Sequence, residues 1–180
     1  MTTQPAVQVI TLPDAGTYRV DPERSSVTYS SRHMFGLGKV RAGFTISSGL
    51  LNVSSTLAGS SARATIDAAS FDSANERRDH DVKGRGLLDA AAFPRITFSS
   101  TGIREDRGAI LLAGTVAMHG VEAAVEVKVL SWEAPEPGLV SVTAQASRLD
   151  RYSFGITGSR GFVGRSFDLA FQVVAVRTGR

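Results

Sequence analysis

Histidine is the side chain best suited to metal binding or to proton transfer near neutral pH, and the chain has three histidines, His33, His80 and His119. Metal ligands are usually paired locally, as in His-x-x-x-His, whereas these three lie about forty residues apart. The absence of cysteine excludes disulfides, thiolate metal ligands and cysteine nucleophiles. We therefore expect neither a metal site nor a cofactor.

A serine nucleophile is the other route to catalysis that the composition permits. The Gly-x-Ser-x-Gly turn that exposes such a serine does not occur, because residues 155–159, Gly-Ile-Thr-Gly-Ser, have the wrong register. We therefore expect a protein that is not an enzyme. A hydrolase that acts on a lipid and depends on His119 is the alternative that stays open.

Residues 73–99 are the one segment whose sequence predicts helix. Ser73 and Glu76 form a capping box, in which each side chain satisfies a free backbone N–H, so a polar helix is predicted over residues 74–83. Gly84 ends this helix, and an apolar helical turn over residues 87–92 stops before Pro94. A charged helix followed by an apolar turn, inside a chain patterned for strands, predicts a lid or plug.

Two neighbouring charges in this insert, Arg78 and Asp79, have two interpretations. They form either a structural ion pair or lid-to-barrel hydrogen bond, or a contact to a ligand. His33 and His119 are open in the same way, because each is either a turn or strand-end residue packed on the barrel or a donor to a ligand head group.

The rest of the chain alternates apolar and polar residues with period two, as Val121, Ala123, Val125, Val127 and Val129 do, which predicts half-buried antiparallel strands. Eight to ten such strands joined by short turns predict an all-β barrel or sandwich. Several apolar faces consist of small residues: Ala42, Ala62, Ala64, Ala68, Gly114, Ala144 and Ala146. Either two sheets pack closely at these positions, or the small residues surround an elongated apolar cavity, with Phe44, Phe71, Phe98, Met118, Phe154 and Phe162 as its wall or cap.

Length and charge limit the remaining choices. A chain of 180 residues supports one domain, which we predict over residues 17–180 after a flexible lead-in at 1–16. The net charge of +3 is spread along the chain, which argues against a nucleic-acid partner. No apolar run approaches the roughly 20 residues of a membrane span, and residues 1–16 lack the pattern of a signal peptide. We expect a cytoplasmic protein without stable membrane insertion.

Five motifs in order resemble those of the YceI-like, polyisoprenoid-binding, lipocalin-like family. They are Tyr18-Arg19-Val20-Asp21 with Ser25-Ser26-Val27; Arg32-His33-Met34 before Lys39-Val40-Arg41; Asn75, Arg78-Asp79, Leu87-Leu88-Asp89 and Phe93-Pro94 in the insert; Met118-His119-Gly120-Val121; and Asp150-Arg151-Tyr152-Ser153-Phe154-Gly155 with Phe162-Val163-Gly164. The match covers residues 18–176. Among its departures from the family pattern, Arg165 stands where an acidic residue is usual, and Leu87-Leu88 replaces an aromatic pair.

The resemblance implies an extended antiparallel β-barrel of about eight strands, capped at one end by the helical insert. Such a barrel would bind and carry, or sequester, a polyisoprenoid, an isoprenoid quinone or a fatty chain. An interaction or stress-response domain, with its barrel filled by its own side chains, is the alternative, and a homodimer stays open. We expect the ligand to contact Phe35, Leu37, Val40, Phe44, Phe71, Leu87, Leu88, Phe93, Phe98, Met118, Phe154, Ile156 and Phe162, with His33, Asn75, Arg78, Asp79 and His119 at the polar mouth or lid.

Overall fold

The computed structural model describes residues 12–33 and 38–179, which form an antiparallel β structure. Its strands are β1 (Gly16–Val20), β2 (Ser26–His33), β3 (Gly38–Phe44), β4 (Ile46–Val53), β5 (Ser61–Asp67), β6 (Arg95–Asp106), β7 (Ala109–Met118), β8 (Val121–Glu136), β9 (Leu139–Asp150) and β10 (Val163–Arg177). The helix α1 spans Glu76–Lys83, and short 3-10 turns span Ala68–Ser70 and Arg151–Phe154.

The strands close into a barrel. Neighbouring strands follow the order β1-β4-β5-β6-β7-β8-β9-β10, and β10 also pairs with β1, which closes a barrel of eight strands. The strand β10 is long enough to pair with β1 at one end, where Tyr18 faces Arg177, and with β2 at the other, where Ser31 faces Phe167. The hairpin of β2 and β3 therefore extends the wall at the end where β10 begins. The predicted all-β barrel is confirmed.

Two-residue turns fix the register of the long hairpins. His119 and Gly120 join β7 to β8 with φ angles of 55° and 75°, and Arg107 and Gly108 join β6 to β7 with 50° and 79°. Positive φ at both turn residues matches the right-handed twist of the strands that flank it. Because side chains alternate along a strand, this register turns one face of each strand into the barrel.

The insert, residues 68–94, contains less helix than the sequence predicts. The predicted start at Ala74 is wrong, because Ala74 has a φ of 57°, outside the helical region. Asn75, and not Ser73, caps α1, and its Oδ1 accepts a hydrogen bond from the Arg78 N–H at 2.9 Å. The second predicted helical turn is a run of tight turns, since Asp89 adopts a φ of 45°.

Within residues 12–33 and 38–179, no helix has the length and apolar character that a membrane crossing requires. Over the same residues, no group of three or more histidine, aspartate or glutamate side chains is arranged to hold a metal ion.

Candidate functional site

An apolar cavity of about 180 Å³ lies inside the barrel, below the insert. Strands on every side of the barrel contribute to its wall, and the insert contributes Phe71, Val82, Leu87 and Leu88. Hydrocarbon side chains make up most of the lining; the polar or charged residues on it are Tyr29, Arg63, Thr97 and Arg151. A cavity with this composition excludes small polar molecules and favours an apolar one.

Of the side chains that we expected to contact a ligand, seven line the cavity: Phe44, Phe71, Leu87, Leu88, Phe98, Met118 and Ile156. Val40 and Phe93 are half-buried outside its wall. Phe154 is buried behind the wall, and Phe162 is 73% exposed. Phe35 and Leu37 lie outside the described residues.

The small residues of the strands surround the cavity in part. Ala62, Ala64, Ala144 and Ala146 line it, whereas Ala42 and Ala68 are buried elsewhere in the core. Gly114 has a different role: a Cβ there would lie 2.8 Å from Cζ of Phe98 and 2.7 Å from the Ser99 carbonyl oxygen. The glycine thus allows the Phe98 ring to lie against β7.

Backbone hydrogen bonds join the insert to a neighbouring strand and join its two ends to each other. The Gly43 and Asp72 N–H groups each donate to the other residue's carbonyl oxygen, at 2.7 and 3.0 Å. The Ala68 N–H donates to the Pro94 carbonyl oxygen at 2.9 Å, which joins the beginning of the insert to its end. Between these anchored ends, Leu88 lines the cavity and is 9% exposed.

The middle of the insert meets the rest of the barrel end at two close contacts. The Phe93 ring packs on the His119 imidazole, with ring centroids 5.0 Å apart. A side chain at Gly158 would collide with the Gly86 carbonyl oxygen, so the two loops touch through glycine. His119 therefore supports the lid from the β7–β8 turn, while His80 is exposed on α1. The side chain of His33 is not among those described.

Arg78 and Asp79 are connected through a third residue. The N–H and the hydroxyl of Ser73 donate to Oδ1 of Asp79 at 3.0 and 2.6 Å, and Nη1 of Arg78 donates to the Ser73 hydroxyl at 3.3 Å. Among the described residues, no ion pair joins Arg78 directly to Asp79. Desolvation raises the pKa of Asp79, but the Ser73 hydrogen bonds and the charges of Lys83 and Arg78 outweigh it and hold that pKa below its usual value. All of these groups belong to the insert.

Arg165, unexpected at its position, pairs with Asp150. Its Nε and Nη2 both donate to Oδ2 of Asp150, at 2.9 and 2.6 Å. This hydrogen-bonded charge lowers the pKa of Asp150. The pair lies at the junction of β9 and β10, beside the 3-10 turn that Asp150 caps.

Arg151 is a cavity residue that the sequence did not indicate. It is 4% exposed, and its guanidinium donates to the carbonyl oxygens of Gly164, Ile156 and Val163 at 3.0, 2.7 and 3.2 Å. An arginine at a strand end is ordinarily solvated. Asp150 accepts a hydrogen bond from the Tyr152 N–H at 2.9 Å, and the resulting 3-10 turn directs Arg151 inward.

A closed eight-stranded antiparallel barrel with an apolar cavity under a helical insert defines a lipocalin-like architecture. The chain belongs to the YceI-like family, because the model of the YceI-like domain matches residues 18–175.

Individual relatives agree with this assignment. A UPF0312 protein of Enterobacter sp. (strain 638) is 27% identical over 116 residues, which cover 63% of this chain and 60% of that protein. The crystal structure of BcnA from Burkholderia cenocepacia is 26% identical, with a TM-score of 0.77 over 87% of this chain and 99% of that one. A domain from Saccharophagus degradans, described as polyisoprenoid-binding and implicated in plant cell wall breakdown, has a TM-score of 0.61 at 13% identity, over 92% and 100% of the chains. At that identity the likeness shows the fold alone.

Proposed function

We propose that this protein binds a long apolar chain, such as a polyisoprenoid, an isoprenoid quinone or a fatty chain, inside its barrel and carries or sequesters it without catalysis. The observation that carries the proposal is the 180 Å³ cavity, which is lined by hydrocarbon groups and covered by the two leucines of the insert. The polyisoprenoid-binding description of the Saccharophagus degradans domain supports the choice of an isoprenoid.

Burial of hydrocarbon is the main source of affinity in this proposal. Each buried methylene contributes at most about 0.8 kcal/mol, so a five-carbon isoprene unit contributes up to about 4 kcal/mol. Two to four units offset the roughly 4–15 kcal/mol that association costs in lost freedom. No strong polar contact is required for affinity, and the length of the cavity would set the preferred chain.

The size of the cavity also supports the alternative. Its 180 Å³ is below the roughly 300–1,000 Å³ of typical small-molecule sites, because Phe44, Phe71 and Phe98 occupy part of the lumen. In this second candidate function the barrel is self-filled, and the protein acts through its surface as an interaction or stress-response domain.

Extraction of the purified protein under denaturing conditions, followed by mass spectrometry, tests the proposal. We expect release of a long apolar molecule, or uptake when an isoprenoid quinone is added to protein that emerges empty. A protein that is empty and takes up no added lipid would exclude the carrier function and favour the self-filled barrel.

The same preparation tests for catalysis. Incubation with lipid esters should give no turnover above that of buffer. Hydrolysis that disappears in His119→Ala would instead establish an enzyme, although His119 packs against Phe93 in the structure and lies outside the cavity wall.

A further inference from the structure

The cavity contains one buried charge, that of Arg151, at its lidded end. A guanidinium has five N–H donors, and three hydrogen bonds to backbone carbonyl oxygens account for three of them. Among the described residues, no carboxylate forms an ion pair with Arg151. One face of the guanidinium lies over the Tyr152 ring, with Cζ 4.9 Å from the ring centroid. The buried positive charge therefore retains two N–H donors and, among the described residues, lacks a carboxylate partner.

Tyr29 lies on the same side of the cavity. It follows Val27 by two residues on β2, so both point inward. Its ring stacks on Phe167, with centroids 5.5 Å apart, and meets the edge of Phe71 at 5.8 Å. Burial raises the pKa of the Tyr29 hydroxyl, and the opposing effects of Ser31 and the Arg151 charge do not cancel that rise. At neutral pH the hydroxyl is a protonated donor on a ring that is fixed by its aromatic neighbours.

We propose that Arg151 and Tyr29 form a seat for the oxygen-bearing head group of the apolar ligand, so that the head lies under the lid and the chain runs toward the opposite end of the barrel. This inference rests on the proposed carrier function and adds the direction in which the ligand lies in the barrel. The head group is a hydrogen-bond acceptor, because a guanidinium can only donate and a protonated phenol donates readily.

The positive charge further favours a carboxylate over a neutral carbonyl, since hydrogen bonds between charged partners are the stronger ones. A ligand with a donor-only head, or a pure hydrocarbon, would leave the two remaining guanidinium N–H groups unpaired. The competing interpretation is that Arg151 serves only to tie residues 156–164 to the 3-10 turn through its three carbonyl partners.

The test compares three probes of similar chain: farnesoic acid, farnesylacetone and farnesene, which carry a carboxylate, a ketone and no oxygen. Their dissociation constants would be measured by calorimetry on the full chain and on Tyr29→Phe, which removes one hydroxyl and keeps the ring. Tyr18→Phe is the matched control, because the Tyr18 hydroxyl donates to the Asp14 carbonyl oxygen at 2.7 Å, beside β1 at the end opposite the lid.

We expect Tyr29→Phe to weaken farnesoic acid binding by about tenfold, the scale of one hydrogen bond to a charged group. Farnesylacetone should lose less, farnesene should change by less than about twofold on the same scale, and Tyr18→Phe should change none of the three. Arg151→Lys keeps the positive charge but loses the planar set of guanidinium N–H donors, so it should reduce affinity for farnesoic acid more than for farnesene.

Equal affinities of the wild type and Tyr29→Phe for all three probes would overturn the head-group seat while leaving the carrier function intact. Equal losses for all three probes, including farnesene, would show that the tyrosine acts by packing and would also overturn the seat. Failure of the wild type to bind any probe would instead reject the carrier function, and the seat with it.

Discussion

Replacing Leu88 by aspartate is the substitution that best separates a ligand carrier from a self-filled barrel. The leucine is 9% exposed, lines the cavity, and is held by its own N–H, which donates to the Val82 carbonyl oxygen at 2.9 Å. The new carboxylate would point at the space that a ligand chain occupies. An unpaired charge in an apolar site costs several kcal/mol unless it reaches water or becomes protonated.

The structure sets the expected sizes of the effects. Leu88 is not on any of the eight strands that close the barrel, so the strand ladders stay intact. If the new carboxylate reaches water at the lid, the loss of stability is the roughly 1.5–3 kcal/mol of one buried leucine. For a domain of this size, 1 kcal/mol shifts Tm by about 2–4 °C, so we expect a fall of about 3–12 °C. Affinity for an isoprenoid should decrease by at least about tenfold, or 1.4 kcal/mol.

Calorimetric binding and thermal unfolding would be measured on Leu88→Asp and on Ala91→Asp. Ala91 is exposed in the same turn, so its variant carries the same charge without entering the cavity. Unchanged binding and unchanged Tm in Leu88→Asp would refute the placement of Leu88 over the ligand. A large drop in Tm, in a protein that binds no lipid before or after the change, would show that the leucine is ordinary core.

Three further predictions address the cavity and the lid. Ala146 is 2% exposed and lines the cavity, so Ala146→Met fills cavity space and should leave Tm unchanged or higher. The affinity for a fifteen-carbon isoprenoid, measured by calorimetry, should fall at least about tenfold. Equal affinities of wild type and variant would mean that the ligand chain does not reach β9. Because the pKa of Asp79 is held low in the folded protein, the ionised carboxylate stabilises the fold fully above the ordinary aspartate pKa of about 3.9, and this stabilisation is lost as the pH falls through the lower folded pKa. The Tm difference between wild type and Asp79→Asn should therefore shrink as the pH is lowered below about 3.9. A Tm difference that does not depend on pH would contradict the Ser73 hydrogen bonds as the source of the stabilisation. Gly158→Ala should push the lid away from Gly86, which should raise hydrogen exchange in residues 84–94 and the rate of ligand release. Gly102→Ala is the control, because Gly102, like Gly158, is not at a positive φ and has open space where the new Cβ would lie, so it should leave release unchanged. Equal release rates for the two variants would show that the Gly86–Gly158 contact does not hold the lid.

The barrel could be predicted because its information is local. Alternation places Val27, Ala144 and Ile66 on the inward face without any knowledge of the partner strand. Turn pairs such as His119-Gly120 mark hairpins through their own backbone preferences. The insert was located by its helical signals, the capping box at Ser73 and Glu76 and the stop before Pro94, in a chain otherwise patterned for strands. Leu87 and Leu88 were predicted to contact the ligand because they stand where the family motif has a large apolar pair before an aspartate.

The predicted start and N-cap of the helix in the insert were wrong because a single backbone angle, the φ of Ala74, decides where the helix begins. A capping box at Ser73 and Glu76 is sound local chemistry, but Ala74 takes a left-handed conformation, and Ser73 turns to donate to Asp79. Nothing in a periodic pattern reports such an angle in a non-glycine residue. The prediction that Phe162 contacts the ligand was wrong for a related reason. Residues 155–162 form no strand, so alternation does not assign an apolar residue there to a face, and Phe162 is 73% exposed.

Arg151 could not be found because its environment is non-local. The three carbonyl oxygens that stabilise its charge come from residues 156, 163 and 164, which are exposed to hydrogen bonding only because the chain leaves the barrel there and returns as β10. A sequence motif marked the segment around Asp150 without indicating which of its charges points inward. Pairing of Asp150 with Arg165 at the surface leaves Arg151 as the charge that faces the cavity.

The parts of the molecule that can adapt to a ligand follow from how each is bonded. Continuous ladders through β1 and β4 to β10 fix the diameter of the barrel, so a longer ligand chain is not accommodated by moving the strands apart. Residues 84–94 have no strand pairing. They meet the opposite loops through Phe93, which lies against His119 and Gly120, and through the contact of Gly86 with Gly158. The ends of the whole insert, residues 68–94, are in contrast fixed by the Gly43–Asp72 and Ala68–Pro94 hydrogen bonds. In a carrier, therefore, the middle of the insert must yield to admit a longer chain, and the barrel must not.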